Sequence, residues 1–355
     1  MTCRDRVPLS DAAYPSYGPQ IQLIYSSLPP MTMHEAQQQL QTTLYQLYDN
    51  REAATIADWV MEHVTGMRKI DRIMHKQSPL LPDRLTLLQQ YTSELLTHKP
   101  VQYVLHEAWF CGMPFYVDEN VLIPRPETEE LVEWVVDFAK QKYEVRSRKY
   151  EVGNTEPEVE DRKSKVGGHK ADDSSYFLPP TSYLSILDIG TGSGCIPISL
   201  KKKMPQAEVY ACDVSEGALA VAAKNAAAQQ TDVHFLNADF LDAATWPTLP
   251  AVDLIVSNPP YIPHHNQNSM LQNVLAYEPH LALFVPNDDP LLFYDAIARF
   301  AQLKLLPGGC IFAEIHEDLG EKTKTLFESK GFATEVKKDF QGKDRMVKAV
   351  RNIEY

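Results

Sequence analysis

The stretch Ile186-Leu187-Asp188-Ile189-Gly190-Thr191-Gly192-Ser193-Gly194-Cys195 decides the fold. Four apolar-rich residues run into three glycines within five positions, and an apolar helical pattern follows. This is a strand, a sharp turn and a helix. Glycines let the backbone turn tightly and approach a ligand, and the helix start presents free amide groups. Such a turn can also be purely structural, so the ligand question rests on the flanking chemistry. The dinucleotide fingerprint requires glycine or alanine in a third slot. Here that slot holds Cys195 or Pro197, depending on where the count starts. The phosphate loop ending in Gly-Lys-Ser/Thr is absent, and no lysine or arginine stands near to meet a pyrophosphate. The loop suits a ligand without phosphate, and S-adenosylmethionine is such a ligand.

Outward from this loop the pattern alternates strand and helix. Strands are predicted at Leu184–Ile189, Glu208–Asp213, Val233–Asn237, Leu254–Ser257, Gly309–Ile315 and Phe332–Lys337, with helices between the first five. Met346–Arg351 reads as a further strand returning antiparallel. The fold class is therefore α/β, with a Rossmann-like, mostly parallel, doubly wound sheet. Asp213 ends the second strand, where a carboxylate accepts ribose hydroxyls or caps the next helix before Ser215. Asp239-Phe240 ends the third, where Phe240 lies against an adenine face or packs in the core.

The fourth strand, Val252-Asp253-Leu254-Ile255-Val256-Ser257, runs directly into Asn258-Pro259-Pro260-Tyr261. Two prolines stiffen the turn and remove two amide donors. The Asn258 side-chain oxygen and the Pro259 carbonyl remain as acceptors, able to grip both hydrogens of one planar NH₂. Tyr261 offers a flat face for stacking. The pattern suits methylation of an amide or aryl amine nitrogen. Its delocalised lone pair is a poor nucleophile until acceptors hold its hydrogens and stabilise the growing positive charge.

The remainder of the chain sets the domain plan. Residues 1–30 are proline-rich and aperiodic, as in a disordered tail or an upstream start-site artefact with Met31 or Met33 as the true start. Residues 31–98 predict a helical bundle. Thr32 and Glu35 have capping-box spacing. Leu40, Leu44 and Leu47, then Ile56, Trp59, Val60 and Val64 before Gly66, follow helical periods. A short helix is expected around Arg68–His75 and a fourth after Pro82. Residues 99–122 read as a β-hairpin linker. Residues 123–355 form the sheet domain, interrupted at 144–182 by a polar insert predicted to be a long loop.

Composition bounds the rest. The 355 residues suit two domains, and 44% hydrophobic with 23% charged residues excludes a mostly disordered chain. No apolar run is long enough to span a membrane. The net charge of −13 speaks against a duplex-DNA enzyme and stable nucleic-acid binding. Five scattered cysteines without a Cys-x-x-Cys support neither a disulfide framework nor a zinc site. No metal is called for, and a reduced, cytoplasmic enzyme is expected.

These residues together resemble the class I S-adenosylmethionine-dependent methyltransferases, and more closely the release factor glutamine methyltransferases (the PrmC/HemK family). The resemblance is carried by Lys99-Pro100-Val101-Gln102-Tyr103-Val104, by Leu122-Ile123-Pro124-Arg125-Pro126-Glu127-Thr128-Glu129 and by the loop at 190–194. Asp213, Asn258-Pro259-Pro260-Tyr261-Ile262-Pro263, Tyr277-Glu278-Pro279 and Gly342-Lys343-Asp344-Arg345 complete it. It covers roughly residues 35–355 apart from the insert. The Asn-Pro-Pro-Tyr box is shared with adenine-N6 and guanine-N2 methyltransferases, whereas the Ile-Pro-Arg-Pro-Glu-Thr-Glu segment is far more specific.

The resemblance implies methyl transfer from S-adenosylmethionine to the side-chain amide nitrogen (N5) of the glutamine in the Gly-Gly-Gln motif of peptide chain release factors. It implies that Asn258, Pro259, Pro260 and Tyr261 hold the substrate, with Asn258, Pro259 and Tyr261 catalytic. Gly190, Thr191, Gly192, Ser193, Gly194, Asp213, Phe240 and Asn258 would bind the cofactor. The Arg125–Glu129 segment would lie beside the active site, with a salt bridge as the other reading of Arg125. The helical bundle and the hairpin at 100–122 carry no catalytic motif, so they are the candidates for docking the release factor, and a monomer is expected. A nucleic-acid adenine-N6 methyltransferase is the alternative, and a catalytically silent module docking on translation factors is a third reading. The chain departs from the family at His106, where glycine is usual, at Asp289-Pro290, and in the length of its insert and tail.

Overall fold

A computed structural model describes residues 31–153 and 184–351. The expected tail, and the insert beyond Gly153, lie outside the described residues. The chain divides into two compact units after Leu96.

The first unit is helical: α1 (Met33–Leu44), α2 (Asn50–Thr65), α3 (Lys69–Met74) and α4 (Pro82–Leu95). The capping box forms as its spacing demands. The Glu35 amide donates to Thr32 Oγ1 at 3.2 Å, and the Thr32 amide donates to Glu35 Oε2 at 2.8 Å. Gly66 closes α2 in the left-handed conformation, φ 70°. The buried stripe of α2 is Ala53, Ile56, Ala57, Val60, Met61 and Val64. Trp59 falls off its edge and is 48% exposed, against expectation. Leu47 lies beyond the end of α1, where helical spacing no longer applies, and is exposed too.

The second unit opens with α5 (Val101–Leu105), then β1 (Ala108–Phe110) and β2 (Met113–Phe115), an antiparallel hairpin. The hairpin predicted over 99–122 is thus shorter than expected. Pro100 caps a helical turn in place of starting a strand. His106 ends α5 in the left-handed conformation, φ 52°. That backbone explains why glycine suits this position. The His106 ring stacks on Tyr116, and its Nδ1 lies 3.1 Å from the Val117 carbonyl.

Next come α6 (Pro126–Gly153), β3 (Ser185–Ile189), α7 (Cys195–Lys203), β4 (Glu208–Asp213), α8 (Glu216–Gln229), β5 (His234–Asn237) and β6 (Val252–Ser257). The short β7 (Ile262–Pro263), α9 (Gln272–Tyr277) and β8 (Phe284–Val285) precede α10 (Leu292–Lys304), β9 (Leu305–Glu314), α11 (Gly320–Ser329), β10 (Phe332–Lys338) and β11 (Asp344–Arg351). Two expectations are corrected. Residues 144–153 continue α6 where a loop was predicted, because Glu, Lys and Arg are good helix formers that need no buried face. Between β5 and β6 lies only a 3₁₀ segment, Ala243–Thr248, interrupted by Pro247.

The main sheet has the order β10-β11-β9-β6-β3-β4-β5. β9, β6, β3, β4 and β5 are parallel, and β11 returns antiparallel between β9 and β10. Alternate strand residues face opposite layers. Ile186, Leu254, Val256, Cys310 and Phe312 pack with α6 and α7 residues such as Leu131, Val135 and Ile198. Leu187, Ile255, Ile311 and Val347 pack with Tyr294, Ile297 and Phe300 of α10 and Phe327 of α11. Helices on both faces make the sheet doubly wound. The chain leaves β3 toward β4 and β5, then crosses back to β6 on the other side. That reversal opens a crevice at the carboxyl ends of β3 and its neighbours.

Candidate active site

Backbone bonds first shape the crevice. The Gly190 and Thr191 amides donate to the Cys212 carbonyl at 2.9 and 3.1 Å, and the Ser257 hydroxyl donates to the Ile189 carbonyl at 2.8 Å. The ends of β3, β4 and β6 are thereby tied together. Gly190, Gly192 and Gly194 all have positive φ. A Cβ added at Gly190 or Gly192 would meet nothing within 4 Å, so both face open space. One at Gly194 would lie 3.0 Å from Ile198 Cδ1 and 3.1 Å from Ala222 Cβ. Gly194 therefore serves helix packing and the other two serve the cavity. Asn225, which the sequence reading overlooked, anchors the loop from behind. Its Nδ2 donates to the Ser193 and Tyr116 carbonyls, both at 2.9 Å.

Two adjoining cavities occupy the crevice. The larger, about 310 Å³, is walled by residues 189–193, Asp213, Asp239, Phe240 and Asn258-Pro259-Pro260, with Arg125 just before α6 and Thr128 in its first turn. The smaller, about 150 Å³, is walled by Leu122, Arg125, Asn258, Pro259, Tyr261, Ile262 and four further apolar residues. Asn258 and Pro259 belong to both walls. The structure thus brings the sequence-predicted residues to one crevice, Gly190, Thr191, Gly192, Ser193, Asp213 and Phe240 on one side and Tyr261 on the other. Pro260 lines the larger cavity only, and Tyr261 the smaller only.

Individual roles sharpen at this resolution of detail. Asp213 does not cap α8; Ser215 does, accepting from the Ala218 amide at 3.2 Å. Asp213 instead accepts from the Gly192 amide through Oδ2 and the Ser215 amide through Oδ1, both at 2.9 Å. A carboxylate keeps lone pairs beyond these two bonds. Phe240 answers to both of its readings. It packs against Trp246 and Phe300 in the core, and still contributes to the cavity wall. Arg125 likewise lines both cavities while its Nη2 pairs with buried Glu278 Oε1 at 2.6 Å. Beneath the loop, neither oxygen of fully buried Asp188 has a hydrogen-bond partner. Burial pushes its pKa up to about 7. The buried Thr191 hydroxyl, which lines the larger cavity, neighbours Asp188 and lowers its pKa against the effect of burial, but completes no hydrogen bond of normal geometry.

Behind the Asn-Pro-Pro-Tyr turn sits a network the sequence did not announce. Asn258 Nδ2 donates to Thr128 Oγ1 at 3.1 Å. The Thr128 hydroxyl donates to Glu314 Oε2 at 2.6 Å, and the Tyr261 hydroxyl to Glu314 Oε1 at 3.1 Å. Glu314 ends β9 and is buried; its carboxyl lies above the ordinary glutamate range. Burial is the cause, opposed by these two hydrogen bonds and by the charge of Arg345. Burial and the Glu314 charge also push the Tyr261 phenol up. A signal for Glu314 existed: a lone acid ending the apolar run Cys310-Ile311-Phe312-Ala313. Among the described residues no hydrogen bond is taken by Asn258 Oδ1 or the Pro259 carbonyl. Two free acceptors therefore stand where the cavities meet.

Comparison with known proteins bears on the family. The PrmC N-terminal domain family model matches residues 35–105, and the Methyltransferase small domain model matches residues 171–281. A release factor glutamine methyltransferase of Flavobacterium psychrophilum is 40% identical over 86% of this chain and 94% of the relative. That of Bacteroides thetaiotaomicron is 34% identical over 88% of this chain and 98% of the relative. That of Chlorobaculum tepidum is 35% identical over 81% and 87%. With identity at this level along nearly the whole length, the chain belongs to the release factor glutamine methyltransferase family.

Proposed function

We propose that this protein transfers a methyl group from S-adenosylmethionine to the N5 amide nitrogen of the glutamine in the Gly-Gly-Gln motif of peptide chain release factors. The observation that carries this reading is the pair of free acceptors, Asn258 Oδ1 and the Pro259 carbonyl, at the junction of the two cavities.

The larger cavity fits the cofactor. Its wall has open space over Gly190 and Gly192, a buried Thr191 hydroxyl, a carboxylate at Asp213 and an aromatic edge at Phe240. No basic cluster for phosphate lies among the residues of the glycine loop. When bound, S-adenosylmethionine supplies a methyl group on a positively charged sulfur. Residues 190–193 would hold its amino-acid portion, Asp213 would accept from its ribose and Phe240 would border its adenine. In the smaller cavity Asn258 and Pro259 each accept one hydrogen of the glutamine NH₂, and Tyr261 packs beside the amide. As the nitrogen gains its new bond, its hydrogens become more acidic. Both acceptors then bind more tightly, so their contribution is greatest in the transition state. The carbon–sulfur bond of the donor breaks with its electron pair left on sulfur, one of those two protons passes to bulk water, and the neutral methylamide remains.

The protein partner is the release factor. The reaction requires neither a metal nor stable nucleic-acid binding, and we assign the enzyme to the cytoplasm as a monomer. No helix among the described residues is long and apolar enough to cross a membrane. The test is methyl-labelled cofactor with purified release factor, DNA and RNA, followed by peptide mass spectrometry. Label confined to the Gly-Gly-Gln glutamine is expected. Label on nucleic acid, with none on release factor, overturns the reading.

A further inference from the structure

Asn258 works as an acceptor only while its side-chain oxygen, and not its NH₂, faces the target. The two ends of an asparagine amide are nearly the same size, so shape alone does not choose between them. Something must hold one end. In this protein that end is Nδ2, which donates to Thr128 Oγ1.

The Thr128 hydroxyl has a single hydrogen, and it is directed to Glu314 Oε2 at 2.6 Å. Toward Asn258 the hydroxyl therefore presents only lone pairs, which an NH₂ satisfies and a carbonyl oxygen does not. The direction of that bond is set in turn by Glu314, whose second oxygen accepts from Tyr261. Both Glu314 oxygens act as acceptors here, one to Thr128 and one to Tyr261, so neither bond runs the other way. Thr128 and Glu314 are each 2% exposed, so bulk water does not compete for these bonds. Thr128 reaches this point because it stands in the first turn of α6, whose start abuts the carboxyl ends of β6 and β9.

We propose that Thr128 and Glu314 are positioning residues that lock the Asn258 amide oxygen toward the target, and so make the site select a primary amide over a carboxylate. The proposal rests on the reading that Asn258 and Pro259 hold the glutamine NH₂. A glutamate side chain in the same place brings only acceptors to two acceptors. A buried site built for donors rejects such an isostere strongly. Once the Thr128 hydroxyl is removed, the Asn258 amide is free to turn over and present NH₂. It then loses grip on glutamine and accommodates glutamate.

The experiment compares wild type, Thr128→Val, Thr128→Ala and Thr128→Ser. Release factor methylation is measured together with inhibition by Gly-Gly-Gln and Gly-Gly-Glu peptides, cofactor affinity by calorimetry, and thermal melting. For wild type, the glutamine peptide should bind roughly 100-fold or more tightly than the glutamate peptide. Thr128→Val and Thr128→Ala should lose about 10- to 100-fold in kcat, keep cofactor affinity, and narrow the peptide ratio by about tenfold. Thr128→Ser, which keeps the hydroxyl, should restore both to within a few-fold. Two hydroxyl-free variants keep the test alive if one fails to fold. An unchanged peptide ratio in the folded hydroxyl-free variants overturns the proposal, and so does a Thr128→Ser enzyme as impaired as they are. A wild-type enzyme that leaves release factor unmethylated overturns the underlying function instead, and is recognised without any variant.

Discussion

Asn258 is tethered at one end and free at the other, which fixes what its removal should do. Asn258→Ala deletes one of two acceptors on the target amide and leaves the Pro259 carbonyl in place. Loss of one preorganised partner of this kind costs about 100-fold in turnover. Cofactor affinity should change far less. Initial rates with release factor, together with calorimetry, check both, and turnover within a few-fold of wild type would sink the grip mechanism. Asp188 carries a prediction of a different sort. Its carboxyl is raised from the ordinary aspartate value to about 7 by burial. The folded protein therefore holds a proton that the unfolded chain releases near pH 4. Stability should fall as pH rises from about 4 through 7, because ionising Asp188 in its buried place is unfavourable. Asp188→Asn removes that charge at every pH. Without cofactor, its melting temperature should decline less than wild type's across the same range; parallel profiles would refute this. At this scale the sequence was partly legible. Asn258 and Pro259 announce themselves because two prolines strip a turn of donors. Thr128 falls in a segment expected beside the site and Glu314 stands out as an acid ending an apolar run, but their pairing is a meeting across 186 positions that no local pattern encodes.

Elements were easier to read than their partners. Parallel strands buried on both faces appear as apolar runs, and β4 was expected with the ends it has, Glu208–Asp213. The misreadings share a cause, which is local preference yielding to small details of chemistry. Pro100 starts a helical turn, Pro247 breaks a helix into 3₁₀ form, and the charged stretch after Tyr143 prolongs α6. The glycine loop gives the prediction at this scale, because its three glycines do different work. Gly194 has φ 78° and a Cβ there would press on Ile198 of α7 and Ala222 of α8. Gly194→Ala combines left-handed strain of about 1–2 kcal/mol with overpacking of about 1–3 kcal/mol. In a domain this size each kcal/mol lowers the melting temperature by roughly 2–4 °C. Gly190→Ala brings the strain without the crowding, but sets a methyl over the cavity. Melting curves should rank Gly194→Ala as the less stable variant. Calorimetry should show Gly190→Ala losing more cofactor affinity than its stability loss explains. The reverse ranking in melting would mean that α7 and α8 part easily to admit a methyl.

For the whole molecule the question is how one glutamine is chosen among many. In the proposed mechanism the smaller cavity recognises a planar amide, and every glutamine carries one. Discrimination must come from surface remote from the chemistry, where binding energy positions the reacting group without touching it. The helical unit ending at Leu96 contributes no residue to the acceptor pair and is the surface we assign to this task. The hairpin, by contrast, belongs with the sheet domain. Tyr103, Ala108, Val117 and Val121 pack with Ala218 and Val221 of α8, and Asn225 bonds Tyr116. A cut at Leu122 would tear that cluster open, so the informative truncation begins at Thr97. The full-length enzyme should methylate intact release factor with a far higher kcat/KM than a free Gly-Gly-Gln peptide. A chain starting at Thr97 should bind S-adenosylmethionine with nearly unchanged affinity and methylate the peptide at a similar rate. It should lose most of the preference for the intact protein, chiefly through KM, because docking energy and not chemistry has been removed. Equal efficiency of the full-length enzyme on protein and peptide would place all recognition at the Gly-Gly-Gln loop itself and leave the helical unit without this role.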